Sequence, residues 1–324
     1  MNNFGKNLRL SIFGESHGKS VGIIIDGCPA GISLCENDFS TDLLRRKSGA
    51  KGTTTRTEND IPKIKSGIFN EKTTGSPILI EFDNKNTKPF DYNQFTDIPR
   101  PGHSDFVANK KFKGFNDYRG GGHFSGRLTL GLVAAGVIAK KIIHKIKINA
   151  EIKEIYGTSD INKAVDFAIK NNDSTGGIIE CTAKNIPVGL GEPFFNSVES
   201  VISHLAFSIP GIKGIEFGAG FNAAKMLGSE FNDLITDKNG KTKTNNSGGI
   251  NGGITNGNNL VFRVVVRPTA SISKSQETFN FKTQKLDELK IKGRHDVCIA
   301  LRVPVIIEAI TAIALADFYL ENNF

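Results

Sequence analysis

R-P-G-H-S-D-F (Arg100–Phe106), K-G-F-N-D-Y-R-G-G-G-H-F-S-G-R-L-T (Lys113–Thr129) and L-G-L-V-A-A-G-V-I-A-K-K (Leu130–Lys141) follow one another in a single stretch of the chain. The first segment sets His103 and Asp105 on a Pro-Gly turn, two residues apart, a spacing that suits orientation of an imidazole or a plain turn cap. The second is a glycine loop that feeds Ser125 and Arg127. The third is apolar on nearly every side and ends in Lys140 and Lys141, which predicts a buried helix closed by cations. A glycine loop opening a helix offers unpaired N–H groups at the positive end of the helix dipole, where phosphate binds. Gly131 and Ala135 lie four apart, so one face of that helix is nearly bare and open to close packing. A surface loop before an ordinary core helix would look similar. The titratable residues crowded into this irregular segment favour function.

Around that stretch the chain reads as a mixed helix and strand protein. Strands are predicted at residues 8–13, 21–26, 61–68, 78–82, 147–156, 177–183, 215–217 and 260–266. Helices are predicted from residue 37 or 38 to 47, over 162–171 and 198–207, and from Pro304 onward. The run 23–32 is echoed by 177–191, which suggests an internal duplication of a β-α unit. Residues 244–259 are nearly all Gly, Asn, Ser and Thr, the composition of a flexible loop or of a backbone cradle for a ligand. A length of 324 residues allows two domains or one large one. The last apolar run, near residues 303–320, is interrupted by Pro304, Glu308 and Asp317 and reads as a buried helix, not a membrane span.

A formal charge of +8 favours an anionic partner, nucleic acid or a phosphorylated or carboxylated small molecule. Lysines are dispersed, whereas arginines gather in turns and glycine loops, where their planar fork suits phosphate or carboxylate. Absence of Trp and only 4 Tyr argue against a single-strand nucleic-acid binder. Cys28, Cys35, Cys181 and Cys298 are scattered without C-x-x-C, so no zinc or other metal site is expected and reduced thiols in a cytoplasmic protein are. The amino terminus shows no apolar signal core. His17, between glycines after a strand, is placed for a cleft or for a simple turn. With His103 and Asp296 it completes the proton carriers that residue type alone offers. G-x-S-x-G, H-E-x-x-H and G-x-x-x-x-G-K-[ST] are all missing, which leaves hydrolase, zincin and P-loop chemistry unsupported.

The ordered blocks resemble those of the chorismate synthase family over nearly the whole length. They are F-G-E-S-H-G (13–18), L-L-R-R-K (43–47), T-T-G-S-P-I (73–78), R-P-G-H-S-D-F (100–106), D-Y-R-G-G-G (117–122) and V-A-A-G-V-I-A-K-K (133–141). I-P-V-G-L-G-E-P (186–193), G-I-K-G-I-E-F-G (211–218), G-G-I-N-G-G-I-T-N-G (248–257) and K-G-R-H-D-V-C (292–298) follow. The resemblance implies one α+β domain over residues 1–324, a β-α-β sandwich with pseudo-two-fold internal similarity, assembled as a homotetramer without membrane or nucleic acid. It implies loss of phosphate from 5-enolpyruvylshikimate 3-phosphate to give chorismate, with reduced FMN as cofactor. NADPH serves as reductant in relatives that reduce their own flavin.

By the same resemblance His17 serves the departing phosphate as acid, His103 protonates the reduced flavin, and Asp296 draws the proton from it. Arg46, Lys51, Arg56, Arg100, Arg127 and Arg294 correspond to substrate-pocket positions. Arg46, His123, Phe124, Ser125, Pro210, Gly211, Gly252, Arg267, Pro268, Thr269, Ala270, Ser271 and Arg294 correspond to cofactor positions. The chain departs from many relatives in carrying His123 for an arginine, Leu128 for a glutamate, Lys51 for a pocket arginine and Arg267 for a lysine.

Overall fold

The computed structural model describes residues 2–87, 89–291, 293 and 295–322. Two antiparallel sheets enclose a helical layer. The first orders its strands Asn3–Phe4, Arg9–Gly14, Ser20–Asp26, Ile78–Asp83 and Lys63–Ile64. The second orders Ile212–Phe217, Leu260–Val266, Gly177–Lys184 and Lys147–Ile155. Alternation decides which face of each strand turns inward: Ile78, Ile80 and Phe82 are buried on one, Leu260, Phe262, Val264 and Val266 on another.

Between the sheets lie Thr129–Ile142 and Pro304–Asn322, the two helices whose sequences are apolar all round. Glycine sets how close they come. A Cβ on Gly131 would lie 3.1 Å from Ile23 Cβ, so this helix rides directly on the first sheet. A Cβ on Gly136 would lie 2.4 Å from Ala309 Cβ, so the two helices touch almost backbone to backbone. The bare face expected around Gly131 thus meets a strand, and Gly136, on another face of the same helix, admits the second helix.

The polar residues that interrupt the last helix are satisfied inside the fold. Glu308 is buried and takes a bidentate pair from Arg45 (2.7 and 2.7 Å), Lys140 Nζ (3.1 Å) and the Ala150 N–H (3.0 Å). Burial alone would push its carboxyl up, but Arg45 and Lys140 hold it below the ordinary glutamate value. Asp317 accepts the N–H groups of Asn7 (2.6 Å) and Leu8 (2.7 Å) and ties the amino terminus down. No helix among the described residues is long and apolar enough to cross a membrane.

The structure differs from the sequence reading at several places. The strand expected at 61–68 shrinks to Lys63–Ile64 and Ile68–Phe69, because Gly67 turns the chain at φ +81°. Asp105–Lys111 is helical, and Gln276–Asn280 pairs with Lys285–Leu289 in a hairpin whose exposed alternation hid it. The polar run 244–259 is pinned, with Asp233 accepting the N–H groups of Asn246 (2.7 Å) and Ser247 (2.8 Å), and it contains the hairpin Ile250–Asn251 and Ile254–Thr255. The two halves are alike in outline. Each has an antiparallel sheet and a buried helix preceded by a 3-10 turn, Gly126–Leu128 in one and Ile299–Arg302 in the other.

Candidate active site

The amino-terminal ends of both buried helices open into one cleft of about 300 Å³. Each preceding turn brings an arginine to it, Arg127 from the first and Arg302 from the second. Arg46, Arg56, Arg100 and Arg267 join them, against the carboxylates of Glu58, Asp60 and Asp296, with His17, His103 and His295 also on the wall. Six guanidinium groups against three carboxylates make a strongly anion-attracting hollow.

Arg46 ends its helix and points inward. Its Nε donates to Thr129 Oγ1 (3.1 Å) and its Nη2 to the Gly126 carbonyl (2.9 Å). Its Nη1 is buried without a hydrogen-bond partner, and the nearest carboxylate oxygen, on Asp60, is 3.8 Å away. Burial, with Arg302 and Arg127 nearby, brings the Arg46 guanidinium down to about 9, against the opposing pull of Asp60 and Asp296. Arg56 donates to Ser16 Oγ (3.0 Å) and Glu58 Oε1 (2.9 Å) while its Nε is buried and unpaired. Two buried arginine donors left over in one cleft fit a bound anion.

His103 and Arg100 share one carboxylate. Asp105 Oδ1 lies 2.7 Å from His103 Nδ1, while Arg100 reaches both Asp105 oxygens at 2.8 Å. Arg100 also stacks its guanidinium 4.4 Å over the Phe95 ring and donates to Ser271 Oγ (3.2 Å). The orienting role open to Asp105 from its spacing is thus realised. Burial holds the His103 imidazole below its ordinary value, with Arg100 and Arg267 adding to the depression and Asp105 opposing it. Asp105 itself sits far below the usual carboxylate range: burial would raise it, and Arg100 and His103 outweigh burial.

The glycine loop does something other than open a helix. Gly120, Gly121 and Gly122 all have positive φ, and the helix proper starts later, at Thr129. A Cβ on Gly120 would lie 2.2 Å from His17 Cε1 and Nδ1, and one on Gly121 would lie 3.4 Å from His103 Cε1 and Nε2. Gly120 is bare because His17 packs on it, Gly122 because the Asp117 carbonyl does, while His103 only touches the loop at Gly121. Tyr92 closes over His17 edge to face at 4.9 Å between ring centroids.

A second cavity of about 770 Å³ shares a wall with the first, formed by His103, Phe124, Ser125, Thr129, Ile209, Pro210, Gly211 and Arg267. Five of the expected cofactor positions lie on this shared wall: Phe124, Ser125, Pro210, Gly211 and Arg267. Thr269, Ala270 and Ser271 line the first cavity. Asp296 faces the same cleft and accepts the Thr54 N–H (3.0 Å) and Arg302 Nη1 (3.3 Å).

Other positions fall elsewhere. Lys51 is exposed, lies off the cleft and pairs with Asp166. Gly252 sits exposed at the tip of the Ile250–Thr255 hairpin, lining neither cavity, and Pro268 also lines neither. His123 lines only the second cavity, with Nδ1 2.8 Å from the Gly14 carbonyl and Nε2 3.0 Å from Asn2 Oδ1. Arg294 lies outside the described residues. Sequence reasoning missed Glu58, Asp60, Tyr92 and Arg302; their flanking segments read as a polar turn, a loop and the edge of a core helix.

The sequence model of the family described as chorismate synthase matches residues 8–320. The chain is 61% identical over 321 residues to a chorismate synthase of Chitinophaga pinensis, covering 99% of this chain and 97% of that one. It is 43% identical over 352 residues to one of Dehalococcoides mccartyi, covering 99% and 97%. A solved structure titled "Crystal Structure of Chorismate Synthase" superposes with a TM-score of 0.75 at 26% identity, covering 98% of this chain and 93% of that one.

Proposed function

This chain belongs to the chorismate synthase family, and on that premise we propose that its cleft converts 5-enolpyruvylshikimate 3-phosphate to chorismate and inorganic phosphate. That makes it a carbon–oxygen lyase of the shikimate pathway, using reduced FMN, and a cytoplasmic one. The observation that carries the reading is the pair of unpaired buried arginine donors, Arg46 Nη1 and Arg56 Nε, in a cleft that two histidines share. A phosphate ester with a carboxylate supplies the acceptors these donors lack.

The reaction breaks the carbon–oxygen bond to phosphate and removes one ring hydrogen as a proton, with no net redox change. Held here, reduced FMN would supply a transient electron for phosphate departure with no net change in its own redox state. The residues of the shared wall suit it: Phe124, Ile209 and Pro210 offer apolar surface, and Arg267 offers charge. Arg46, Arg56 and Arg127 hold the substrate anions, and the burial of Arg46 and Arg127 strengthens those contacts. His17, fixed between Gly120 and Tyr92, is assigned as the acid for the departing phosphate. His103, whose Nδ1–H donates to Asp105, leaves Nε2 to take up and pass on a proton, and an arriving anion opposes the burial that disfavours the protonated ring. Asp296 is assigned as the carboxylate that draws the proton away. In this reading Lys51 drops out of the pocket. Phe194 and Phe195, 86% and 93% exposed, offer apolar surface to the partner copies of a homotetramer.

Arg127 is the substrate contact most sensitive to shape, since its fork already spans Asn84 Oδ1 (3.0 Å), Asp60 and the Asp83 carbonyl (3.3 Å). Arg127→Lys keeps the charge and loses the fork, so substrate affinity is expected to fall about tenfold or more, the scale of one charge-assisted hydrogen bond. Titration of the substrate into both proteins checks it. Equal affinities would remove Arg127 from the substrate site.

A further inference from the structure

Asp60 is an unusual residue to find where it is. It is buried, it lines the cleft, and its backbone sits at φ +53°, a left-handed conformation that Asp and Asn adopt more readily than other side chains. Its carboxylate joins the two arginines assigned to the substrate: one oxygen accepts from Arg127 Nη1 and the other lies 3.8 Å from Arg46 Nη1. Glu58, the neighbouring cleft carboxylate, is different. Besides Arg56 it accepts the backbone N–H groups of Lys85 (3.0 Å) and Asn86 (3.1 Å), so it serves as a loop anchor. Among the described residues, the Asp60 carboxylate has only arginines for partners.

A carboxylate placed on the anion-facing ends of two arginines competes with any anion that comes to them. Six arginines lining one cleft would otherwise hold a free phosphate dianion firmly, and the reaction proposed above ends by producing that dianion. We propose that Asp60 is a built-in counter-ion: a positioning residue that aligns Arg127 and Arg46 and weakens the cleft's grip on inorganic phosphate, so that product leaves and substrate is preferred. The substrate has further contacts to compensate for the competition; bare phosphate has none. The pull of Asp60 on the Arg46 guanidinium agrees with this coupling. The inference deepens the proposed function and rests on it for the identity of the anion.

Asp60→Asn is a fair test because asparagine has the same shape, tolerates positive φ and can still accept from Arg127, while the charge is gone. Inorganic phosphate, titrated calorimetrically into the unmodified protein and the variant, is expected to bind about tenfold tighter to the variant, with product inhibition rising in step. A merely structural role would weaken phosphate binding instead. Asp60→Gly, also suited to that φ, should shift phosphate in the same direction while raising the substrate KM, because Arg127 loses its alignment. In an Arg127→Gln background the gain from Asp60→Asn should largely vanish. Phosphate affinity that is unchanged or lower in both Asp60 variants, or absent from all the proteins, overturns the inference. Tighter phosphate binding in a protein that makes no chorismate would leave Asp60's role standing and remove the proposed function; chorismate formation with unchanged phosphate affinity would do the reverse.

Discussion

Gly120→Ala is expected to lower turnover by about a hundredfold or more while the protein stays folded, the scale lost when a positioned acid is displaced. The alanine methyl would lie 2.2 Å from two ring atoms of His17, and the φ of +60° is one that alanine adopts at a cost of about 1–2 kcal/mol. His17 cannot retreat freely, because Tyr92 packs against its other side. The imidazole must therefore leave its position or the loop must shift toward His103. Gly228→Ala supplies the control: it lines neither cavity and an added Cβ there meets nothing within 4 Å, so activity should stay near that of the unmodified protein. Steady-state rates of both variants, with circular dichroism to verify the fold, decide the matter. Equal activity in the two would mean that His17 need not occupy the position seen here.

Asp105→Asn is expected to harm stability and turnover together. It leaves Arg100, which is buried, without its bidentate partner, and loss of one member of a buried ion pair costs about 3–5 kcal/mol. It also removes the anchor of His103 Nδ1, so turnover should fall on the order of a hundredfold even in protein that remains folded. The pH dependence identifies the cause. The carboxyl of Asp105 is held far below its unfolded value of about 3.9, so its contribution to stability is present above that value and is lost as pH falls below it. Thermal unfolding followed from about pH 5 to pH 2 should therefore show a steep acid limb in the unmodified protein and a shallower one in the variant. Identical limbs would mean that Asp105 carries no special share of acid sensitivity.

How much of this could be read in the chain depends on whether chemistry or geometry decides the point. Periodicity found the strand Leu260–Val266 and the helix beginning at Pro304, because burial on one face or on all faces leaves its mark in composition. His17, His103, Arg127 and Asp296 were visible as titratable residues in turns, and the cleft brings them together. The glycine loop was visible, but it was expected to open the helix directly. The helix starts later, at Thr129, and Gly120 is the space that His17 requires. Arg45 and Arg46 show where sequence stops: neighbours on a helix point about 100° apart, and nothing local says which one faces Glu308 and which one the cleft. Lys51 looked like a replacement for a pocket arginine because it follows the arginine run, yet its side chain turns outward to Asp166. Asp60 and Arg302 went unseen because a buried carboxylate in a polar turn, and an arginine flanked by core residues, become meaningful only once the tertiary fold sets them beside Arg46.

The most direct measurement is anaerobic phosphate release from 5-enolpyruvylshikimate 3-phosphate by the intact protein, with reduced FMN in one series and oxidised FMN in the other. The account predicts phosphate and chorismate in equal amounts with reduced FMN, no net flavin oxidation, and no turnover with oxidised FMN when no reductant is added. Phosphate release at the same rate in both series, or in neither, would contradict it.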